Sequence, residues 1–135
     1  MDNKTTEIII DFNSTLLSLA KNVANICPTS LIGSNIKDIE KQFKRKENFT
    51  KFIDLWCIKV LQYKHKIDEG SEEFFMTKDY SKDIEGHEIG LKDIISLQSV
   101  WKDFKPENKS IVILNMQILC DLAQLYFNIS TGTSN

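Results

Sequence analysis

Apolar residues recur at helical spacing along almost the whole chain, and the clearest example lies near the carboxyl end. Fourteen of the nineteen residues in 111–129 are apolar. At about 100° per residue, four of the five polar positions share one arc roughly 60° wide. These four are Gln117, Asp121, Gln124 and Asn128. We therefore predict a final helix with one narrow solvated face, which other helices wrap at the centre of an all-α domain.

Two helices are predicted in the amino-terminal third of the chain. The first covers residues 6–26, and Pro28 ends it because proline lacks the backbone N–H that a helix interior requires. A connector follows. Ser34 or Asn35 is then predicted to cap a second, short helix with apolar residues along one side.

A third helix, predicted over residues 48–67, carries apolar residues outside its main apolar arc. Leu55, Ile58 and Leu61 lie there among polar neighbours. Either this helix is covered on two sides inside the domain, or these side chains contact a partner. The sequence leaves both alternatives open.

The segment before the final helix is predicted to be less regular. Three of the five glycines of the chain lie in residues 68–90, where we predict short helical turns around 72–76 and 81–85. A further helix is predicted over 90–104. Pro106 then suits the first turn of the final helix, where no backbone N–H is needed.

Length and composition agree with one soluble domain. The chain has 135 residues, of which 41% are apolar and 27% charged. We predict a single compact bundle of five or six helices over residues 1–135, with a central, mostly apolar C-terminal helix. Its ordered core is expected at about 6–129, followed by a polar tail at 130–135.

The cysteines and the hydropathy of the chain indicate which cellular compartment suits the protein. The first seven residues show no charged-then-apolar leader, so we expect a chain that is not secreted. Three cysteines, an odd number, argue against a disulfide framework and favour a reducing compartment. Residues 111–129 are long enough to span a membrane, but their polar residues would make insertion costly, so we expect no membrane association.

No pattern predicts catalysis or a cofactor. The possible soft metal ligands lack the close spacing of a structural zinc site. These ligands are Cys27, Cys57, Cys120, His65 and His87. Residues 81–92 resemble a calcium-binding loop, but Lys92 stands where that loop needs a glutamate. Nucleophile and phosphate-loop motifs are absent, so we expect a non-enzyme with no catalytic residues, metal or cofactor.

Charge is distributed unevenly along the chain. Residues 37–51 hold six basic and three acidic residues, a net of +3, and residues 68–88 hold eight acidic and two basic residues, a net of −6. Opposite local charges favour docking to a protein partner or to a second copy of the chain. Two ordinary solvated faces are the alternative. The basic segment, from Lys37 to Lys51, could also contact nucleic acid weakly.

Two asparagines fall on apolar helix faces, Asn13 in the first helix and Asn115 in the final one. A buried amide without a partner costs about 1–3 kcal/mol. We therefore hypothesise that the two helices are neighbours and that the amides bond each other, directly or through one water. The alternative is that each bonds a nearby backbone group.

Several short stretches carry a resemblance to a known group of proteins. They are Phe12-Asn13, Leu16, Leu19-Ala20, Cys27-Pro28, Tyr63-Lys64, Ile67-Asp68, Gly70, Glu72, Phe74-Phe75, Val100-Trp101, Glu107-Asn108-Lys109, Met116-Gln117, Leu119, Ala123 and Tyr126-Phe127. The chain resembles small, mostly uncharacterised helical proteins of large nucleocytoplasmic DNA viruses, mimivirus-like viruses among them. The resemblance covers nearly the whole chain but includes no chemical motif. It implies a location in the host cytoplasm, in a viral factory or virion.

We accordingly expect a non-enzymatic protein-interaction or structural protein of a viral factory or virion. A protein partner or self-association is expected, and the candidate partner-binding residues are Leu55, Ile58, Lys41, Lys44, Arg45, Glu72 and Glu73. The alternative is a weak nucleic-acid-binding protein that uses Lys37–Lys51.

Overall fold

A computed structural model describes residues 2–77, 97 and 100–132, and this part of the chain contains six α-helices and no β-strand. They are α1 (Asn3–Ile26), α2 (Leu31–Lys44), α3 (Lys51–Lys59), α4 (Lys64–Glu69), α5 (Glu72–Thr77) and α6 (Pro106–Ser130). The all-α prediction of five or six helices with an apolar, central final helix is confirmed. The predicted turn at 81–85, the calcium-like loop, His87 and most of the predicted helix over 90–104 lie outside the described residues.

Helix α6 holds the domain together. It packs against α1, α3 and α4, and α1 in turn packs against α2. One face of α6 is fully buried in these contacts, because its apolar side chains recur every three or four residues. That face comprises Val112, Met116, Leu119, Cys120 and Ala123. Burying Val112, Met116 and Leu119 contributes about 1.5–3 kcal/mol each, so this seam is a major source of stability.

Aromatic side chains fill two parts of the core. Phe12 of α1 meets Trp56 of α3 edge to face, with ring centroids 5.5 Å apart. Phe75 of α5 stacks on Trp101 at 5.2 Å, and Phe104 adds an edge contact to that tryptophan at 5.8 Å. These geometries are the ones that aromatic quadrupoles favour. The second cluster fixes α5 and the chain before α6 on the bundle.

The structure corrects the predicted start of the second helix. It begins at Leu31, where Ser30 is the N-cap and its Oγ accepts a hydrogen bond from Gly33 N at 3.1 Å. Ser34 and Asn35 therefore lie inside α2 and do not cap it. Asp2 caps α1 in the same way, and its carboxylate accepts a hydrogen bond from Thr5 N at 2.7 Å.

The predicted helix over 48–67 is interrupted in the structure. A 3-10 turn at Lys46–Asn48 precedes α3, and a second at Leu61–Tyr63 joins α3 to α4. The last helical piece, α4, ends at Glu69, close to the predicted boundary, because Gly70 has a φ of 67° and closes it in the left-handed conformation. The segment is therefore divided into two helices, and apolar residues of both lie in the core.

The solvated face predicted for α6 is wrong in part. Asn128 is buried, and Gln117 and Gln124 are half-buried. Gln117 donates hydrogen bonds to the backbone oxygens of Ile67 and Asp68 at 3.2 and 3.3 Å, which satisfies carbonyls at the end of α4. Large apolar side chains are exposed on another side of α6 instead. α6 is also long and apolar enough to cross a membrane, by length and composition alone.

Candidate functional site

An apolar groove lies between α3 and the last turns of α6. It has a volume of about 480 Å³. Side chains one helical turn apart form each wall, so both walls follow from ordinary helix geometry. The lining residues are Asp54, Cys57 and Ile58 from α3, and Tyr126, Phe127 and Ser130 from α6. We call this feature the α3–α6 groove.

Two hydrogen bonds fix the walls of the groove. Tyr126 OH donates to Asp54 Oδ1 at 2.6 Å. Cys57 Sγ donates to the backbone oxygen of Ala123 at 3.4 Å. Because both bonds join α3 to α6, the groove has a set width and its shape is largely preformed.

Cys57 and Tyr126 on these walls are held in their neutral forms. Burial raises the pKa of Cys57 to about 12, and the nearby Asp54 carboxylate adds to the shift. Burial also raises the pKa of Tyr126 to about 12, and its hydrogen bond to Asp54 acts in the same direction. A protonated thiol and a protonated phenol are poor nucleophiles at neutral pH, so the groove is better suited to binding than to covalent chemistry.

Two large apolar side chains on the walls of the groove are exposed to solvent. Ile58 is 65% exposed on one wall, and Phe127 is 43% exposed on the other. Exposed apolar residues are common singly, but two that face one concave groove make it a candidate contact site.

The two predicted site residues on α3 have different surroundings in the structure. Ile58 lines the groove, whereas Leu55 is half-buried and packs against the hydrophobic core. Leu55 and Leu61 are half-buried against the hydrophobic core, so the first alternative, cover inside the domain, holds for these two residues. Ile58 is exposed, and its contact with a partner stays a prediction.

The predicted charged residues form separate surfaces. Lys41, Lys44 and Arg45 are exposed around the end of α2, where cations complement the helix dipole. Glu72 and Glu73 are exposed in the first turn of α5.

Glu72 already has partners within the chain. Its Oε1 accepts hydrogen bonds from Lys109 Nζ at 2.6 Å and from Trp101 Nε1 at 3.3 Å. These bonds lower the pKa of its carboxyl group, with the Lys109 bond as the largest cause. Glu72 therefore ties α5 to α6, a role that the sequence pattern did not indicate.

The two asparagines do not bond each other directly. Asn13 Nδ2 donates to the backbone oxygen of Phe49 at 2.9 Å, and its Oδ1 is buried without a hydrogen-bond partner. Asn115 is half-buried on α6. The prediction that α1 and α6 are neighbours is correct. For Asn13, however, the alternative holds, because its amide bonds a backbone oxygen.

The cysteines and a second cavity are the other candidate places for a site. Within residues 2–77, 97 and 100–132, no group of three or more His, Cys, Asp or Glu side chains could hold a metal ion. Cys120 is buried and accepts a hydrogen bond from Trp56 Nε1 at 3.4 Å. A smaller polar pocket of about 260 Å³ lies beside Lys66, Ser71, Glu73 and Phe74.

Sequence reasoning identified Ile58 but missed Asp54, Tyr126 and Phe127. Phe127 falls on the same helical arc as the buried residues of α6, yet it is 43% exposed. Periodicity alone carries no signal for such an exception. Comparison of the chain with protein-family models, curated proteins and solved structures finds no match.

Proposed function

We propose that the chain is a non-enzymatic protein-interaction domain that binds a segment of a partner protein in the α3–α6 groove. The observation that carries the proposal is the exposure of Ile58 and Phe127 on opposite walls of one apolar groove. Burying such side chains against a partner removes apolar surface from water, which is the main driving force of association. The neutral Cys57 and Tyr126 favour binding over catalysis.

The groove also defines the chemistry of its occupant. Its volume lies in the range of roughly 300–1,000 Å³ that is typical of binding sites, enough for one or two large apolar anchors. The Asp54 carboxylate lies on the same wall as Ile58. A partner segment with an aromatic or aliphatic anchor next to a lysine or arginine complements both features, and an amphipathic helix presents residues in this way.

The cellular setting is a separate part of the proposal. It rests on the resemblance to helical proteins of large nucleocytoplasmic DNA viruses. We propose the host cytoplasm, in a viral factory or virion, and no membrane association. The odd number of cysteines agrees with a reducing compartment.

A random peptide library tests the proposed groove, because it samples many combinations of anchor and charge at once. Peptides selected from a phage-displayed library of 15-residue sequences should combine an aromatic or aliphatic anchor with a neighbouring cation. Ile58→Asp should weaken their binding by at least about tenfold, because it places a charge where the anchor is desolvated. Asp54→Asn should remove the preference for the cation.

Leu31→Asp is the matched control, because Leu31 is an exposed apolar residue on α2, away from the groove. It should leave peptide binding unchanged, and circular dichroism should show the same helix content in every variant. Peptides that bind Ile58→Asp as tightly as the natural chain, or a selection that enriches no such peptide, would refute the proposal.

A second candidate function uses the basic end of α2. Lys41, Lys44 and Arg45 are exposed there, which favours weak contact with phosphate groups. Fluorescence anisotropy with a 20-nucleotide single strand, measured from 50 to 300 mM salt, separates the two functions. Affinity that falls steeply with salt and is lost in a Lys41→Gln, Lys44→Gln, Arg45→Gln variant would support nucleic-acid binding.

A further inference from the structure

A second apolar surface lies on α6, on the side opposite its buried face. Its members are 37% to 56% exposed. At about 100° per residue they fall within an arc roughly 60° wide. They are Ile111, Leu114, Ile118, Leu125 and Ile129, and we call them the α6 stripe. Their spacing of three, four and seven residues is that of a seam between paired helices.

The α6 stripe is large enough to support a specific interface. It extends over nineteen residues, or about 27 Å from first to last at 1.5 Å per residue. Its side chains expose roughly 400 Å² of apolar surface, the size of the largest patch on a typical monomer. Two stripes in full contact would bury about 800 Å², and their half-exposed neighbours would bring the interface to the ~1,000 Å² that a specific interface needs. We propose that two copies of this chain form a dimer through their α6 stripes.

Charge favours a second copy over a lipid surface. A helix that lies on a membrane usually carries lysine or arginine along its polar side. On α6, the charged residues that border the stripe are acidic, Asp121 at one edge and Glu107 one turn before Ile111, and the last turn contains no basic residue. Lys64 of α4 pairs with Asp121 at 3.1 Å and with Asp68 at 2.6 Å, so this edge of the stripe carries one cation between two anions.

That edge is self-complementary in an antiparallel dimer. A two-fold axis across two antiparallel helices brings the same edge of each helix together. The α6 stripe is centred near residue 120, so the Asp121–Lys64 pair of one copy would meet the same pair of the other. Each Lys64 could then reach the partner's Asp121, and the opposed helix dipoles would add to the attraction. We therefore infer an antiparallel, isologous dimer.

Sedimentation equilibrium of the full chain, from 1 to 300 µM, measures the association. The natural chain should approach twice its 15.6 kDa mass as concentration rises. A Leu114→Glu, Ile118→Glu variant should have a dimer dissociation constant at least about a hundredfold higher, because it buries two acids in the seam. Circular dichroism should show unchanged helix content.

Ile58→Glu is the matched control, since Ile58 is an exposed apolar residue of the α3–α6 groove. It should remain dimeric, which separates this inference from the proposed function. A natural chain that is monomeric at 300 µM, a Leu114→Glu, Ile118→Glu variant that still dimerises, or loss of the dimer in Ile58→Glu alone would overturn the proposal. Binding to lipid would overturn it as well. In that case a monomeric natural chain would sediment with vesicles of phosphatidylcholine and phosphatidylserine, and the Leu114→Glu, Ile118→Glu variant would not.

Crosslinking tests the direction of the helices. Residues 111 and 129 are equally far from the centre of the stripe, so they should meet in an antiparallel pair. A mixture of Ile111→Cys and Ile129→Cys chains should give the mixed disulfide dimer in excess. Predominant 111–111 crosslinks would show a parallel pair and would overturn the antiparallel inference.

Discussion

At the scale of single residues, the corner between α1 and α2 depends on one glycine. A Cβ atom at Gly33 would lie 2.4 Å from the backbone oxygen of Pro28 and 2.5 Å from that of Cys27. Both atoms belong to the backbone, so neither can turn aside as a flexible side chain could. The hydrogen bond from Gly33 N to Ser30 Oγ holds the two segments at this close approach.

We predict that Gly33→Ala destabilises the domain. Alanine is the better helix former by about 1 kcal/mol, but the overlap with two carbonyl groups outweighs that gain, and we expect a net loss of about 1–3 kcal/mol. Urea unfolding followed by circular dichroism measures the change. Ser34→Ala, an exposed position in the same turn, is the control and should change stability by much less. A neutral or stabilising Gly33→Ala would contradict the packing described for this corner.

The same corner shows why residue-scale predictions from the sequence failed. Ser30, Ser34 and Asn35 are all good N-cap residues, and the glycine at position 33 favours a connector when the sequence is considered alone. The close approach of the Cys27 and Pro28 carbonyls to Gly33 is a tertiary contact. It makes the glycine a helical residue and selects Ser30 as the cap.

At the scale of elements, the sequence predicts that helices exist better than it predicts which of their faces are covered. α6 has two apolar arcs and one polar arc, and periodicity does not tell which apolar arc meets α1 and α3. The covered arc contains Met116 and Ala123, and the exposed one contains Leu114. Gln117 then turns inward because the carbonyls at the end of α4 need donors.

The attachment of α5 gives an element-scale prediction. Glu72→Gln should loosen α5, because it replaces a charged acceptor of bonds from Lys109 and Trp101 by a neutral one. The site is exposed, so we expect only a small loss of stability, which falls further with added salt. Thermal unfolding and the fluorescence maximum of Trp101, measured in a Trp56→Phe background, report the change.

Glu69→Gln is the control for this substitution. Its carboxylate makes a single, longer contact of 3.8 Å with Lys66, at the exposed end of α4. It should leave both the melting temperature and the Trp101 emission as they are. Equal effects of the two substitutions would mean that the loss of a surface charge accounts for the result, and not the loss of the bonds from Lys109 and Trp101 to Glu72.

At the scale of the whole molecule, the interface between α3 and α6 couples stability to alkaline pH. Burial raises the pKa of Cys57 to about 12 and that of Cys120 to about 11, from an ordinary value of 9.0. It raises the pKa of Tyr126 to about 12 from 10.0. All three groups are acids whose neutral form is favoured by the fold, so the unfolded chain releases its protons first as pH rises.

We therefore predict that these three groups leave the free energy of unfolding unchanged below about pH 9. Above that pH they should lower it steadily toward pH 12. Urea unfolding at pH 7 to 11 in the presence of a non-thiol reductant measures the slope. Tyr126→Phe should make the fall shallower above pH 10, and Cys57→Ala should do so from pH 9, because each removes one group that the unfolded chain would ionise. A natural chain as stable at pH 11 as at pH 8, or variants that retain the full slope, would show that these groups are not held neutral between α3 and α6.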